Sequence, residues 1–283
     1  MQSARLAALV ACLVAGAAAS AVGARPVSTA ALLTSARQMI LVTTSDWHAV
    51  RGTLYAFERP VDGRWSEARW RAGDGAATAA RIVPVVVGEH GTAWDPGVVA
   101  PVKGPIKVEG DGRSPAGVFA LGSAFGFSRP AGATWLTLPY VEVTPTLECV
   151  DDAASGSYNA LVDRATAEVD WKSSEKMREE TPWYHWGVVV EYNTRPVVPR
   201  RGSCIFLHVG GDGAKGTAGC TAMAEPALKG LMQWLDPARA PVLVQLPVAA
   251  YGALRTAWGL PALPAVRELP ADVSASARRR VPR

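Results

Sequence analysis

The chain has 283 residues, of which 49% are hydrophobic and 19% are charged, a balance that is typical of a globular protein and argues against disorder over most of the length. The formal net charge is +4. Six arginines against Glu268 and Asp272 place this whole surplus in residues 255–283. The near-neutral remainder has no basic groove suited to nucleic acid, so no nucleic-acid partner is expected.

The N-terminus has the pattern of a secretory signal peptide over residues 1–24. Arg5 supplies a positive start, residues 6–19 are almost wholly apolar, and small residues around Ser20 offer a cleavage site. The apolar run is short for a bilayer span. Cys12 ends a Leu-Val-Ala-Cys sequence like a lipid-attachment box, but its closeness to Arg5 disfavours a lipoprotein. We therefore expect export to the periplasm or another extracytoplasmic space.

A mainly β domain is expected over residues 37–247. Short apolar or alternating runs, separated by Gly, Pro and Asp, predict strands in the cadence of a sandwich or barrel rather than of βαβ units. The clearest of these runs are Met39–Thr44, Thr53–Arg59, Arg81–Val87, Trp186–Tyr192, Cys204–Val209 and Pro241–Leu246.

A few short helices complete the prediction. Residues 151–181 are more polar, and we expect short helices there or an insertion over the sheet. One further helix should begin at Pro226 and stop before Pro237, because its apolar residues share one face: Leu228, Leu231, Met232 and Leu235.

The domain is expected to end near Pro247. Residues 248–283 are rich in Ala, Pro and Arg, a composition that predicts a disordered basic tail, which could associate with anionic wall polymer or a membrane surface.

The chemistry points to a cysteine nucleophile. A predicted strand ends in His208, and a Gly-rich loop then leads to Cys220, shortly before the helix predicted to begin at Pro226. A thiol needs an imidazole within hydrogen-bond reach, or a helix N-terminus, to lower its pKa. His208 and the following helix are expected to supply both.

The residues around Cys220 suggest an oxyanion hole. Gly219 permits a tight turn, so that the amides of Gly219 and Cys220 can point at an attacked carbonyl oxygen. Thr217 either hydrogen-bonds this loop or is a simple turn residue. A backbone carbonyl in the turn 210–213 is expected to orient the imidazole, with the Asp212 carboxylate as the alternative.

Three cysteines remain after signal cleavage, so one thiol should stay unpaired in an oxidising compartment. A period of two places Cys204 and His208 on one strand face, and we expect a disulfide between Cys149 and Cys204 with Cys220 free. A bridge between Cys204 and Cys220 remains the alternative.

No metal or cofactor is predicted. The four histidines have no ligand-like spacing, and the chain contains neither CxxC nor HExxH. The Gly-rich loop lacks the ending of a P-loop, and no serine lies in a GxSxG elbow.

Two ordered segments resemble one known family. The chain reads Phe-Leu-His over residues 206–208 and Thr-Ala-Gly-Cys-Thr-Ala-Met over residues 217–223, and upstream it reads Ser-Pro-Ala-Gly-Val-Phe over residues 114–119. These segments resemble the active-site and Ser/Thr-Pro-x-Gly-x-Phe segments of the L,D-transpeptidase catalytic domain, the YkuD-like family. The resemblance covers most of residues 38–247 and implies a mainly β, sandwich-like fold.

The resemblance also implies an activity. Family members attack the amide between the third and fourth residues of a peptidoglycan stem tetrapeptide, release D-Ala, and pass the thioacyl group to an amine or to water. By position, Cys220 would be the nucleophile, His208 the base, and Gly219 and Cys220 the oxyanion amides. Ala218 stands where the family usually has a second His, and relatives lacking that His include hydrolases. An acyltransferase is therefore the first hypothesis, a hydrolase the second, and a non-catalytic wall-binding protein the third.

Other residues have weaker assignments. Arg113 and Lys103 are candidates for binding a substrate carboxylate, since stem peptides are acidic. Residues 114–117 are expected to form a β-turn before a strand. The aromatic residues that either line a substrate wall or belong to the core are Trp183, Tyr184 and Trp186.

Overall fold

The computed structural model describes residues 28–70, 82–179, 182–210 and 215–264. The predicted signal peptide, Cys12, Asp212 and residues 265–283 of the predicted tail lie outside the described residues.

The described residues form fourteen strands and three α-helices. The helices are α1 (Thr29–Ser35), α2 (Glu225–Trp234) and α3 (Val248–Leu254). The strands are β1 (Gln38–Thr44), β2 (Arg51–Glu58), β3 (Ser66–Glu67), β4 (Val83–Val86), β5 (Thr92–Trp94), β6 (Ser114–Gly126), β7 (Tyr140–Glu142), β8 (Leu147–Val150), β9 (Leu161–Asp163), β10 (Ser174–Lys176), β11 (Trp186–Val190), β12 (Phe206–Val209), β13 (Thr221–Met223) and β14 (Val242–Pro247). Short 3-10 turns occupy Pro130–Gly132, Trp183–His185 and Pro237–Arg239.

The larger sheet has a barrel-like closure. Its strand order is β1-β14-β6-β11-β12-β13-β4-β2-β3, and β1 also pairs with β2, so the path returns to its start. Strands β5 and β7 add to β6. Closure leaves few open strand edges. The prediction of a mainly β, sandwich-like domain with a few short helices is confirmed.

Alternation along the strands divides the molecule into layers. In β12, Leu207 and Val209 face a core that also contains Leu228 and Leu231 of α2. Phe206 faces the other way, into a separate apolar cluster. Burying each such side chain contributes about 1.5–3 kcal/mol, so β12 is fixed from both sides.

Helix α2 agrees with its prediction. It has a proline in its first turn, buries the apolar face anticipated from sequence, and ends before Pro237. Among the described helices, none combines the length and hydropathy needed to cross a bilayer.

Of the two alternatives expected for residues 151–181, short helices are wrong for the described part of the segment. This region contributes β9 and β10, which flank β8 in a separate three-stranded antiparallel sheet. The polar residues are compatible with strands because they are paired: the buried Glu148 carboxylate accepts hydrogen bonds from Trp171 Nε1 and Ser174 Oγ, both at 2.7 Å. Their partners lie far away in sequence, which a local pattern does not reveal.

The folded region extends beyond both expected boundaries. Helix α1 precedes residue 37, and the Arg59 side chain donates to the Ala36 and Thr34 carbonyls at its C-terminal end (2.8 and 3.0 Å). Pro247 is not the end either, because α3 follows it directly and buries Tyr251 and Leu254.

The chain after α3 also packs against the domain. Leu260 is buried, and the Tyr251 hydroxyl donates to the Pro261 carbonyl. Residues 248–264 are therefore not a disordered tail; their Ala-rich composition conceals an apolar face.

Candidate active site

Strands β12 and β13 form a parallel pair that positions the two expected catalytic residues. Leu207 lies opposite Thr221, and His208 lies opposite Ala222. Cys220 immediately precedes β13 and faces the start of β12, where the Phe206 N–H donates to its sulfur at 3.3 Å. Strand spacings put the Cα atoms of His208 and Cys220 about 8 Å apart. Both residues line one cavity of about 700 Å³.

Burial favours the neutral, protonated form of the Cys220 thiol. The side chain is buried, with 5% of the residue exposed, and Sγ donates to the Cys204 carbonyl at 3.3 Å. Burial is the largest influence and raises the pKa of the Cys220 thiol far above its usual value, and the Glu175 carboxylate acts in the same direction. The Phe206 N–H, Tyr184 and Lys107 oppose this rise in the thiol pKa without cancelling it.

His208 is likewise neutral. Its Nδ1 lies 2.7 Å from the Val209 carbonyl oxygen. A carbonyl only accepts hydrogen bonds, so Nδ1 carries the proton and Nε2 is left as the acceptor. Burial lowers the pKa of His208 to about 4. The site therefore pairs an unionised thiol with an imidazole in the tautomer that a general base requires.

The orienting carbonyl is not in the expected turn. We predicted a carbonyl from residues 210–213, whereas the ring turns back onto Val209, the last residue of β12. Along the chain, β13 lies between Cys220 and α2, and a contribution of the helix N-terminus to the thiol pKa stays a prediction.

Thr217 and Gly219 shape the loop before Cys220. The Thr217 hydroxyl donates to the Cys220 carbonyl at 2.6 Å and accepts from the Gly219 N–H at 3.1 Å. Gly219 has φ +155°, and a Cβ there would lie 3.2 Å from both the Arg113 carbonyl oxygen and Ile205 Cδ1. Within the described residues the Cys220 N–H has no hydrogen-bond partner. Of the two expected oxyanion donors, the Gly219 N–H already donates to Thr217 Oγ1. The Cys220 N–H is therefore the donor that can bond to an oxyanion.

Ser114 belongs to the site, although the sequence interpretation gave it no such place. It is fully buried; its hydroxyl donates to the Cys220 carbonyl and accepts from the Gly88 N–H, both at 2.9 Å. The predicted β-turn over residues 114–117 is wrong, since these residues begin β6 and pair with β5 and β14. Pro115 and Gly117 suggested a turn locally, but the flanking strands extend the backbone. The resemblance of residues 114–119 to the family's Ser/Thr-Pro-x-Gly-x-Phe segment was the sequence signal that could have identified Ser114 as a site residue.

The two weak substrate-binding candidates do not line the cavity. The Arg113 guanidinium donates to the Trp47 and Thr92 carbonyls, at 2.9 and 3.2 Å. Lys103 is exposed elsewhere. Lys107 occupies the cavity wall instead, buried and 2.6 Å from an Asp111 oxygen.

The aromatic candidates separate into two groups. Trp183, 41% exposed, and the buried Tyr184 line the cavity. Trp186 belongs to the core, where it packs against Trp135.

The three described cysteines form one disulfide and leave one free thiol. Cys149 and Cys204 form a disulfide, and Cys220 is the free cysteine of the described chain. The alternative bridge between Cys204 and Cys220 is absent from this part of the molecule. The described residues also contain no group of three His, Cys, Asp or Glu arranged to hold a metal ion.

Comparison with known proteins gives one match. A family model described as the L,D-transpeptidase catalytic domain, YkuD, matches residues 67–244, more than half of the chain. Searches of curated proteins and of solved structures each returned no match. The matched range contains His208, Cys220 and Ser114.

Proposed function

Because the chain belongs to the L,D-transpeptidase catalytic-domain family, whose members are typically cysteine-dependent enzymes acting on peptidoglycan stem peptides, we propose that it is a cysteine acyltransferase. Cys220 forms a thioacyl-enzyme with a stem tetrapeptide, and an amine receives the acyl group. The observation that supports this most directly is the shared cavity of a free thiol and a neutral imidazole whose Nε2 is the acceptor.

In the proposed first half-reaction, one proton is transferred through His208, and the C–N bond of the substrate amide is replaced by a C–S bond to Cys220. His208 Nε2 accepts the thiol proton as Cys220 Sγ attacks the carbonyl carbon, and the oxyanion receives a hydrogen bond from the Cys220 N–H. When the tetrahedral intermediate collapses, the C–N bond breaks and His208 returns the proton to the leaving amine of D-Ala. In the second half-reaction, His208 deprotonates the acceptor amine, which attacks the thioester and regenerates the thiol.

Hydrolysis is the second candidate. Ala218 lines the cavity where the family usually places a second His, and a site lacking that group favours water as the acceptor. Incubation with purified muropeptides separates the two: direct cross-links indicate transfer, and tripeptide without dimers indicates hydrolysis. A non-catalytic wall-binding protein would give neither product.

We further propose that the enzyme is exported to the periplasm or another extracytoplasmic space by residues 1–24, where its substrate lies. The basic residues beyond Pro264 would hold it near anionic wall polymer or membrane surfaces.

A carbapenem, which acylates nucleophiles as a stem-peptide mimic, tests the proposed chemistry by intact mass. Wild type should gain one covalent adduct, Cys220→Ser should gain none, and His208→Gln should react at least about 100-fold more slowly, the lower range for loss of a general base. The exposed His48 provides the control, since His48→Gln should react like wild type. An adduct on Cys220→Ser, or an unchanged rate in His208→Gln, would remove the basis for this function.

A further inference from the structure

Three successive residues before β12 are each held by a different side chain. The bonds are Gly202 N–H to the Tyr158 hydroxyl at 3.1 Å, Ser203 Oγ to Glu109 Oε2 at 2.8 Å, and Cys204 N–H to Asn159 Oδ1 at 2.9 Å. Residues 202–204 belong to no strand. These side-chain bonds therefore set a backbone position that strand pairing sets elsewhere in the sheet.

Two of the three holding side chains also bond to each other. The Tyr158 hydroxyl donates to Glu109 Oε2, the oxygen that accepts from Ser203. Tyr158 and Ser203 are buried. Glu109, Tyr158 and Asn159, which we call the clamp, thus join the loop after β5 and the loop after β8 to the segment before β12.

Asn159 is the member of the clamp that bonds to Cys204. Its side-chain amide also donates to the Tyr192 and Asn193 carbonyls, at 2.9 and 2.8 Å. Its φ of +63° is left-handed, a conformation that asparagine adopts more readily than most residues. Asn159 therefore fixes the Cys204 backbone against the chain that follows β11.

The segment held by the clamp bonds directly to the thiol. The Cys204 carbonyl accepts the Cys220 S–H at 3.3 Å, and the Phe206 N–H donates to the same sulfur at 3.3 Å. Cys204 itself has a φ of +54°. Residues with a Cβ keep such a conformation only where their surroundings enforce it, and such residues often lie at functional sites.

We propose that the clamp positions the sulfur of Cys220 by fixing the Cys204 carbonyl, and that Asn159 is its central positioning residue. In the resting protein the thiol proton lies in the bond to Cys204, and it passes to His208 Nε2 when the sulfur attacks. The catalytic consequence rests on the proposed acyltransferase function. The placement of the sulfur does not, and it is measurable without substrate.

The clamp acts on the thiol from behind the cavity. The described residues that line the cavity include neither Tyr158 nor Asn159. Loss of the Asn159 side chain therefore leaves the surface that a substrate contacts in place while it releases the backbone that holds the sulfur. A defect in the acylation step without a defect in binding is the expected signature.

Asn159→Gly tests the clamp, because glycine accepts the left-handed backbone and the substitution removes only the side-chain bonds. The infrared S–H stretching band that Cys220→Ser abolishes reports the hydrogen bond of this thiol. In Asn159→Gly the band should move to higher frequency, since the S–H bond to the Cys204 carbonyl weakens.

Gln38→Ala is the matched control. The Gln38 side chain is fully buried, donates to the Trp234 carbonyl at 2.7 Å and accepts from the Asp236 N–H at 2.8 Å. It therefore also holds backbone segments together through its amide, but it does not line the cavity. Gln38→Ala should leave the S–H band at the wild-type frequency.

Carbapenem acylation at a series of concentrations tests the catalytic consequence. Asn159→Gly should lower the maximal acylation rate at least about tenfold, because small misplacements of a reacting group can cost about 100-fold. The half-saturating concentration should stay unchanged, and Gln38→Ala should keep both values. If wild type is not acylated, the acyltransferase function fails, while the infrared result still decides the placement of the sulfur.

An unchanged S–H band in Asn159→Gly, or an equal shift in Gln38→Ala, would overturn the proposal. A raised half-saturating concentration with an unchanged maximal rate would also overturn it, because Asn159 would then act in binding. If Asn159→Gly does not fold, Tyr158→Phe replaces it, since it keeps the ring and removes only the bonds to Gly202 and Glu109. It should shift the band in the same direction, and the wild-type frequency there would equally contradict the clamp.

Discussion

The Cys220 carbonyl accepts hydrogen bonds from both Ser114 and Thr217. These bonds hold the backbone of Cys220, the proposed nucleophile, from two directions, one local and one through β6. Because the thiol is attached to the same residue, its position depends on these two hydroxyl groups.

Ser114→Ala should lower both stability and acylation. It leaves the buried Gly88 N–H without its acceptor, a loss of about 2 kcal/mol in the free energy of unfolding, and it frees one side of the Cys220 carbonyl. Urea denaturation and the carbapenem rate measure the two effects. Ser66→Ala is the control, since Ser66 bonds at the surface and should change stability by less than about 0.5 kcal/mol. Equal stability of the two variants would contradict the role of Ser114.

His208 should make the protein less stable in acid. Its folded pKa of about 4 lies below the ordinary histidine value of 6.5, so the unfolded chain binds its proton first as the pH falls. The contribution of the neutral imidazole is fully present above pH 6.5 and is lost as the pH falls towards 4, in total about 3 kcal/mol.

Denaturation curves at several pH values test this. His208→Gln should lose about 3 kcal/mol less than wild type between pH 7 and pH 4, whereas His48→Gln should follow wild type. Parallel pH profiles for wild type and His208→Gln would show that the buried imidazole is not held neutral.

The sequence identified some site residues and missed others for a physical reason. Cys220, His208 and Thr217 are close along the chain, so motif and spacing brought them together. Lys107 lines the cavity from another segment, and the buried Ser114 bonds to the Cys220 carbonyl from β6. Only the strand pairing determines that arrangement.

At the level of elements, the three-stranded sheet forms one wall of the cavity. Strand β8 carries Cys149, whose disulfide to Cys204 ties this sheet to the segment before β12. The Cys204 carbonyl in turn accepts the Cys220 S–H. The bridge therefore connects the stability of the small sheet to the position of the Cys220 thiol.

Removing the disulfide should destabilise the protein markedly. The bridged cysteines are 55 residues apart, and loop closure of that length corresponds to about 4 kcal/mol. The double replacement Cys149→Ala with Cys204→Ala should lower the melting temperature, and reductant should lower that of wild type similarly. Reductant should leave the double variant unchanged; a further decrease in that variant would point to another bridge.

The predicted elements differ in how well local sequence determines them. Strand β1 is apolar and helix α2 has a clear apolar period; both begin within one residue of the predicted start, and α2 ends at Trp234, before the predicted stop at Pro237. Strands β9 and β10 are short and polar, and they pair with β8 through non-local hydrogen bonds. Their strand conformation follows from that pairing rather than from intrinsic preference.

At the scale of the whole molecule, both ends of the described chain are part of the fold. Helices α1 and α3 pack on the same apolar cluster, which includes Leu33, Tyr251 and Leu254. The composition of residues 248–264 suggested a tail because alanine and proline dominate it. The segment folds because its few large apolar residues pack against the surface that β1 and β14 provide.

Truncation distinguishes the two boundaries. A chain ending at Pro264 should melt like the 283-residue chain, whereas one ending at Pro247 loses the burial of Tyr251, Leu254 and Leu260, together about 5 kcal/mol or more. Thermal denaturation by circular dichroism measures both. Equal melting temperatures for the two truncations would place the boundary of the stable domain back at Pro247.

All three described cysteines belong to one apolar cluster. Three thiols allow three single bridges, and two of these would consume Cys220, the proposed nucleophile. Under the proposed function, the two isomers that bridge Cys220 would be inactive, although their mass equals that of the isomer with the Cys149–Cys204 disulfide. Preparations should be judged by titratable thiol rather than by purity.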